Sequence, residues 1–211
     1  VSRGVGGAVS TCGADRVLAE GWRDRDVEGF ERLVRTGIRV VKRIDGMRKP
    51  VIAAVNGAAA GAGACLALAC DLRIASQNAT IGLTFVRVGL HPDWGGAYFL
   101  PRVIGSALAA ELVMTGGMIN ARRAERLGLF NRVVPADELE PAVRGLAGQI
   151  AGGPPDVIAD AKRTLRRSLA ADLDEILEME AEAQLRAFQS PDFGEGVEAF
   201  LEKRAPRFGR S

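Results

Sequence analysis

The chain has 211 residues, 47% hydrophobic and 26% charged, with 28 basic against 26 acidic side chains for a net charge of +2. That is room for one domain, or one domain with a small appendage, of ordinary globular composition, and too balanced a charge to argue for a nucleic-acid or membrane partner. A single histidine, His91, excludes a His-rich metal centre, and three cysteines, Cys12, Cys65 and Cys70, point away from a disulfide framework and toward a reducing cytoplasm. No charge-free apolar stretch of membrane-spanning length occurs, and no signal peptide is expected ahead of the fold.

Residues 1–15, "VSRGVGGAVSTCGAD", read as loop because of their four glycines. Residues 27–45 place Val27, Phe30, Leu33, Val34, Ile38, Val41 and Ile44 at helical spacing, which predicts an amphipathic helix despite Gly29 and Gly37. "RKP" ends it. "VIAAV" at 51–55 suits a strand buried on both faces. A run confined to Gly and Ala follows at 57–64 and reads as a small-residue turn, opening a helix at about 63–70. "LRIAS" at 72–76 is a second buried strand and "ATIGL" at 79–83 a candidate third. Strand, Gly-rich turn, helix and strand in this order make a right-handed βαβ unit.

Beyond Pro92 the pattern turns helical. Asn120 caps a short helix, "LFNRVVP" holds a short strand, and helices are expected over 139–150, 155–169 and 172–188. A last helix carries Val197, Phe200 and Leu201 on its apolar face. The fold class is α/β, with an α/β core over 1–135 and a helical region over 136–211.

Three uses compete for the small-residue run. A phosphate cradle lacks the third glycine of a dinucleotide fingerprint and the G-K-[ST] of a P-loop. Small residues also let a helix pack tightly on a sheet. Finally, a helix N-terminus stripped of side chains lets a substrate carbonyl reach unpaired backbone N–H groups, the arrangement of an oxyanion hole.

The segments "RKPVIAAVNGAAAGAGACLALACDLRIAS", "GLHPDWGGAYFLPRVIG", "TGGMINARRAERLGLFNRVVP" and "FGEGVEAFLEKRAPRF", in this order, resemble the enoyl-CoA hydratase/isomerase (crotonase) superfamily. In motif the chain is most similar to its phenylacetyl-CoA ring-epoxide isomerase type. The resemblance implies a crotonase-like spiral of ββα units with a helical C-terminal trimerisation region, here without the family's N-terminal strands. It implies an acyl-CoA thioester substrate, a homotrimer or dimer of trimers, and no cofactor beyond the CoA of the substrate. It implies an oxyanion hole from the backbone N–H groups of Ala14, in "CGAD", and Ala62. Gly13, Asp15, Gly61 and Gly63 flank those donors.

In the family's hydratases the resemblance implies two glutamates that handle water. Those positions here read Cys65 and Phe85, and neither is a carboxylate. Cys65 reads equally as a small buried residue, and Phe85 as packing or as acyl-pocket lining. Asp93, in "HPDWGG", resembles the aspartate base of several isomerases of the superfamily; it also reads as the N-cap of a helix beginning at Trp94. Trp94 joins the expected lining, with Tyr98 and Phe99. Lys203 and Arg204 resemble a basic pair near the CoA phosphates, or a solvated helix face. The function implied is an acyl-CoA isomerase acting through a thioester enolate. A hydratase, or a non-catalytic acyl-CoA-binding protein on the same scaffold, are the alternatives.

Overall fold

The computed structural model describes Ser2–Arg3 and residues 20–209. The chain divides into two compact units, Val1–Met47 with Val51–Val143, and Arg48–Pro50 with Arg144–Ser211. In chain order the elements are β1 (Ser2–Arg3), α1 (Val27–Asp45), β2 (Ile52–Val55), β3 (Ala58–Ala60), α2 (Ala62–Ala69), β4 (Leu72–Ser76) and β5 (Thr80–Gly82), followed by a 3-10 turn at Thr84–Val88. Then come α3 (Gly96–Ile104), α4 (Ser106–Thr115), β6 (Ile119–Asn120), α5 (Ala121–Arg126), β7 (Arg132–Val134), a 3-10 turn at Ala136–Glu138, α6 (Leu139–Ala151), α7 (Pro155–Arg167), α8 (Leu173–Phe188) and α9 (Pro191–Glu202).

The first unit is built on two small sheets. Strands β1, β2, β4 and β7 lie side by side in that order, all parallel, with Ile52 opposite Leu72 and Ile74 opposite Arg132. All four residues of β2 are buried, as a parallel strand covered on both faces requires. The second sheet runs β3-β5-β6, parallel between β3 and β5 and antiparallel between β5 and β6. Two expectations change here. The glycine-rich start is not all loop, because Ser2–Arg3 pair with Ala53 and Ala54 along the open edge of β2. The run at 57–64 is not one turn: its alanines 58–60 form β3, because methyl side chains can pleat as well as turn, and β5 pairs with β3 rather than extending the first sheet.

Helix α2 is buried nearly all round, with Gly63, Ala64, Cys65, Ala67, Leu68 and Ala69 inside. A helix so enclosed needs no amphipathic pattern, only small residues on the sides where other elements come close. Asp71 closes the β2–α2–β4 crossover: its Oδ2 accepts the Val51 N–H at 2.7 Å while its own N–H donates to the Val51 carbonyl at 2.9 Å. Asp26 caps α1 through the Gly29 N–H at 2.7 Å, and Asn120 caps α5 through the Arg123 N–H at 2.9 Å.

Arg73 is the charged residue that this core encloses. It sits in β4 at 6% exposure, with Nε donating to the Leu129 carbonyl at 2.6 Å and Nη1 to the Cys70 carbonyl at 2.8 Å. Its backbone N–H donates to Asn131 Oδ1 at 2.8 Å. One side chain thus joins the end of α2 to the approach of β7.

The second unit is helical. Helices α7 and α8 pack on each other and are cross-linked by Arg186–Asp160 at 3.2 Å and Arg167–Glu175 at 2.5 Å. Lys162 is buried, with Nζ donating to the Lys49 carbonyl at 3.3 Å. The face expected on the last helix is not covered by this chain: Phe200 is 83% and Leu201 73% exposed, and Ala199 is the residue of α9 that is buried.

Replacing Arg73 by Ala leaves two buried carbonyls without a donor. Urea unfolding of Arg73→Ala should show a loss of about 3 kcal/mol through a lower midpoint at unchanged slope.

Candidate active site

The chain enters α2 through Gly61, at φ 51° and ψ −119°, a conformation essentially confined to glycine. Its N–H donates to the Gly82 carbonyl at 3.0 Å, which anchors the turn to β5, and its carbonyl accepts the Cys65 N–H at 3.1 Å. No side chain caps this helix. The N–H of Ala62, the first helical residue, therefore has neither an intrahelical carbonyl nor a capping side chain, and it carries the positive end of the helix dipole. Gly61 and Ala62 are partly exposed while Gly63 and Ala64 are buried, so the turn presents backbone rather than side chains. The Phe85 ring stands beside it: a Cβ on Gly61 would meet Phe85 Cζ at 3.8 Å. Phe85 itself is buried in the 3-10 turn.

The second half of the site is the segment leading into α3. Helix α3 begins at Gly96 with Gly95 as its N-cap, at φ 83°, and no side chain caps it. Asp93 is therefore not the cap of a helix starting at Trp94. Trp94 and Gly95 both take left-handed backbone, at φ 46° and 83°, and this carries Asp93 one step outside the helix. Its link to α3 is main-chain: the Gly96 N–H donates to the Asp93 carbonyl at 2.9 Å. Its side chain keeps Oδ1 buried without a hydrogen-bond partner.

That burial raises the Asp93 pKa above the usual carboxylate range, opposed by its own backbone N–H and by the nearby His91. His91 is exposed, with Nδ1 2.7 Å from the Pro92 carbonyl. Cys65 adjoins the carboxyl. It is wholly enclosed, and burial, followed by the charge of Asp93, pushes its thiol up to about 12. Cys65 lies three residues along α2 from Ala62, about 4.5 Å of rise. The unpaired carboxylate oxygen and the uncapped helix N-terminus are thus joined through a single turn of one helix.

Trp94 is seated on α1. A Cβ at Gly37 would run into its indole, so the helix interior has a glycine where the ring needs a notch, and Val41 borders Gly95 next to it. The indole N–H is buried without a partner. Neither the notch at Gly37 nor the closeness of Cys65 to Asp93 was legible beforehand, although a glycine inside an otherwise amphipathic helix was a signal for the first. Of the other expected lining residues, Phe99 is buried and Tyr98 exposed, with Arg102 stacked on its ring at 3.6 Å.

Gly13, Ala14 and Asp15 lie outside the described residues, as does Cys12. In the helical unit Lys203 takes a left-handed conformation at φ 54° as the C-cap of α9 and is exposed. Its neighbour Arg204 is committed: it pairs with Glu195 at 2.6 and 3.0 Å and with Glu202 at 2.6 Å, which holds the Glu195 carboxyl down at about 2. The basic pair of the sequence is one accessible ammonium and one guanidinium already matched by carboxylates. Among the described residues no cluster of three or more His, Cys, Asp or Glu could hold a metal ion, and no helix is long and apolar enough to cross a membrane.

The sequence profile of the enoyl-CoA hydratase/isomerase family matches residues 5–211. A crotonyl-CoA hydratase from Syntrophomonas wolfei is 38% identical over 205 residues, covering 97% of this chain and 78% of that protein. A 1,2-epoxyphenylacetyl-CoA isomerase from Escherichia coli is 40% identical over 169 residues, covering 80% of this chain and 64% of its own length. Among solved structures, an enoyl-CoA hydratase from Polaromonas superposes with a TM-score of 0.87 at 37% identity, over 93% of this chain and 76% of the other.

The raised Asp93 pKa has a consequence for stability. The folded protein holds that proton more tightly than the unfolded chain does. The stabilisation is complete below the ordinary Asp range and is lost as pH rises through the folded value. At neutral pH the ionised carboxylate is then a net cost. Asp93→Asn should melt above the wild type at neutral pH, and the gap should close below about pH 4.

Proposed function

The chain belongs to the enoyl-CoA hydratase/isomerase family, and from that premise we propose that it is an acyl-CoA isomerase that moves a proton between two carbons of its substrate through a thioester enolate. The observation that carries this reading is Asp93, a carboxylate with a buried, unpartnered oxygen within one helical turn of the uncapped α2 N-terminus. The family's hydratase carboxylate positions, by contrast, are a fully enclosed thiol and a buried phenyl ring.

In this mechanism the thioester carbonyl accepts hydrogen bonds from the N–H groups of Ala62 and Ala14. Gly61 and Gly63 keep the approach to Ala62 open, and Gly13 and Asp15 shape the loop around Ala14. The Asp93 carboxylate removes a proton from the carbon next to the carbonyl or from the γ-carbon. The electron pair moves onto the thioester oxygen, where backbone donors and the helix dipole stabilise the enolate. The same carboxyl returns the proton to the other carbon and is regenerated. No metal, nucleotide or flavin takes part. Phe85 and Trp94 border the acyl chain, and the free ammonium of Lys203 serves the CoA phosphates better than Arg204, which is already paired. The buried free thiols Cys65 and Cys70 fit a cytoplasmic enzyme.

Hydration of a 2-enoyl-CoA is the second reading, and the observation in its favour is that several relatives bear hydratase names. It needs a group to position and deprotonate water, and Asp93 is the one carboxylate that the site offers. Assaying a β,γ-unsaturated and a 2-enoyl-CoA side by side separates the two. Double-bond migration with little hydration supports isomerisation, efficient hydration overturns it, and acyl-CoA binding without either reaction points to a binding protein.

Three outcomes are expected. Asp93→Asn should lose about 10²–10⁴-fold in turnover with acyl-CoA affinity retained, since it keeps the shape and removes the base; full activity would dismiss Asp93. Calorimetric titration should show binding of the acyl-CoA and not of the free acid. Finally, Leu173, Leu185, Phe188, Phe200 and Leu201 are all more than 60% exposed, a set of apolar residues that self-association would cover. Sedimentation should therefore give a homotrimer or a dimer of trimers, and a stable monomer at micromolar concentration would reject this.

A further inference from the structure

Cys65 is the residue of the site for which the reaction has no direct use. It is completely enclosed, it lies less than one turn from Ala62, and its electrostatic neighbour is the Asp93 carboxyl. The sulfur rests on the α3 start: a Cβ at Gly96 would come within 2.8 Å of Cys65 Sγ and against Leu83. The same Gly96 donates its N–H to the Asp93 carbonyl at 2.9 Å. Thiol and carboxyl are thus clamped to one backbone unit, and neither can shift without the other.

We propose that Cys65 is a positioning residue for Asp93: its thiol is the neutral, water-excluding wall against which the carboxyl is held, and it decides how readily that carboxyl exchanges its proton. The proposal rests on the reading of Asp93 as the base. A thiol donates hydrogen bonds weakly, so it leaves Asp93 Oδ1 unsatisfied where a hydroxyl or an ammonium would pair with it. With its thiol pushed up to about 12, Cys65 carries no charge at neutral pH, and so adds no second anion to a site that must accept one. The titratable neighbours of Asp93 are Cys65 from α2 and the exposed His91 from its own segment. The residues packed on that segment from α1 and from the stretch after β5 are Gly37, Val41 and Leu83, all uncharged.

The wall can be altered by one atom. In Cys65→Ser a strong donor replaces a weak one and stabilises the ionised carboxylate. In Cys65→Ala the apolar surface is kept and no donor is introduced. Carbon-13 NMR titration of the Asp93 carboxyl reads the effect without reference to turnover, and the pH profile of kcat/KM on a β,γ-unsaturated acyl-CoA reads it in the reaction.

The carboxyl midpoint should move to lower pH in Cys65→Ser and stay in place in Cys65→Ala. On the acid limb, Cys65→Ser should then retain about threefold more of its plateau kcat/KM than the wild type at the same pH. Equal midpoints in all three proteins, or stability losses in both variants with no movement of either midpoint, would overturn the proposal and leave Cys65 a packing residue. A midpoint that moves while the kcat/KM limb stays would instead uphold the wall and refute Asp93 as the base.

Discussion

The arrangement of the first unit depends on one backbone constraint, the reversal at Gly61. A helix enclosed by protein on nearly every side exposes hydrogen-bonding capacity only at its ends, and a side chain at the entry would ordinarily take up the first donors. Gly61 enters α2 at a positive φ with no side chain to offer, tethered to Gly82 on one side and to Cys65 on the other. The methyl-only strand β3 leads into that turn, and the small faces of α2 let the helix sink into the core behind it. Deep burial and an open N-terminus, which usually exclude each other, coexist because Gly and Ala occupy the positions where the two conditions meet.

Asp93 is held in place by a complementary device. Two successive left-handed residues, Trp94 and Gly95, delay the start of α3, and a tryptophan in that conformation is strained. The strain persists because the indole is locked on α1, where Gly37 leaves room for it, and because Phe99 and Val41 close around Gly95. Packing of two helices therefore fixes a conformation that local preference disfavours, and its result is a carboxyl facing buried space rather than the helix end it would otherwise cap.

The long regular elements were legible because a period of 3.6 or a continuous apolar run needs no tertiary information. Helices α1, α2, α7 and α8 and strands β2 and β4 lie where the pattern put them, within about two residues. Capping by Asn120 was equally local. What escaped was decided by partners distant in sequence. Ser2–Arg3 become a strand only because β2 has an unpaired edge, and 58–60 become β3 only because β5 lies alongside. The cap assigned to Asp93 followed the usual preference of Asp, and it lost to the packing of Trp94 against Gly37. The composition of the site was legible residue by residue; the contact between Cys65 and Asp93 was not, since 28 positions separate them and no spacing rule joins α2 to the start of α3.

Elsewhere the chain satisfies its buried and half-buried polar groups with care. Asp71 is matched to the Val51 backbone, Arg73 to two carbonyls, Lys162 to another, and Arg204 to two carboxylates. A chain that meets this standard at its structural positions and departs from it at Asp93 and Trp94, two consecutive residues in strained backbone, has concentrated its unsatisfied hydrogen bonding in one segment. Each such group costs on the order of 1–3 kcal/mol, which a purely structural segment would be rid of by a polar neighbour or a shift to the surface. A neighbour able to donate strongly to Asp93 would remove the cost and with it the basicity. That is why the residue next to it is as informative as the aspartate itself, and why a thiol there is better matched to proton transfer than a serine or a lysine would be.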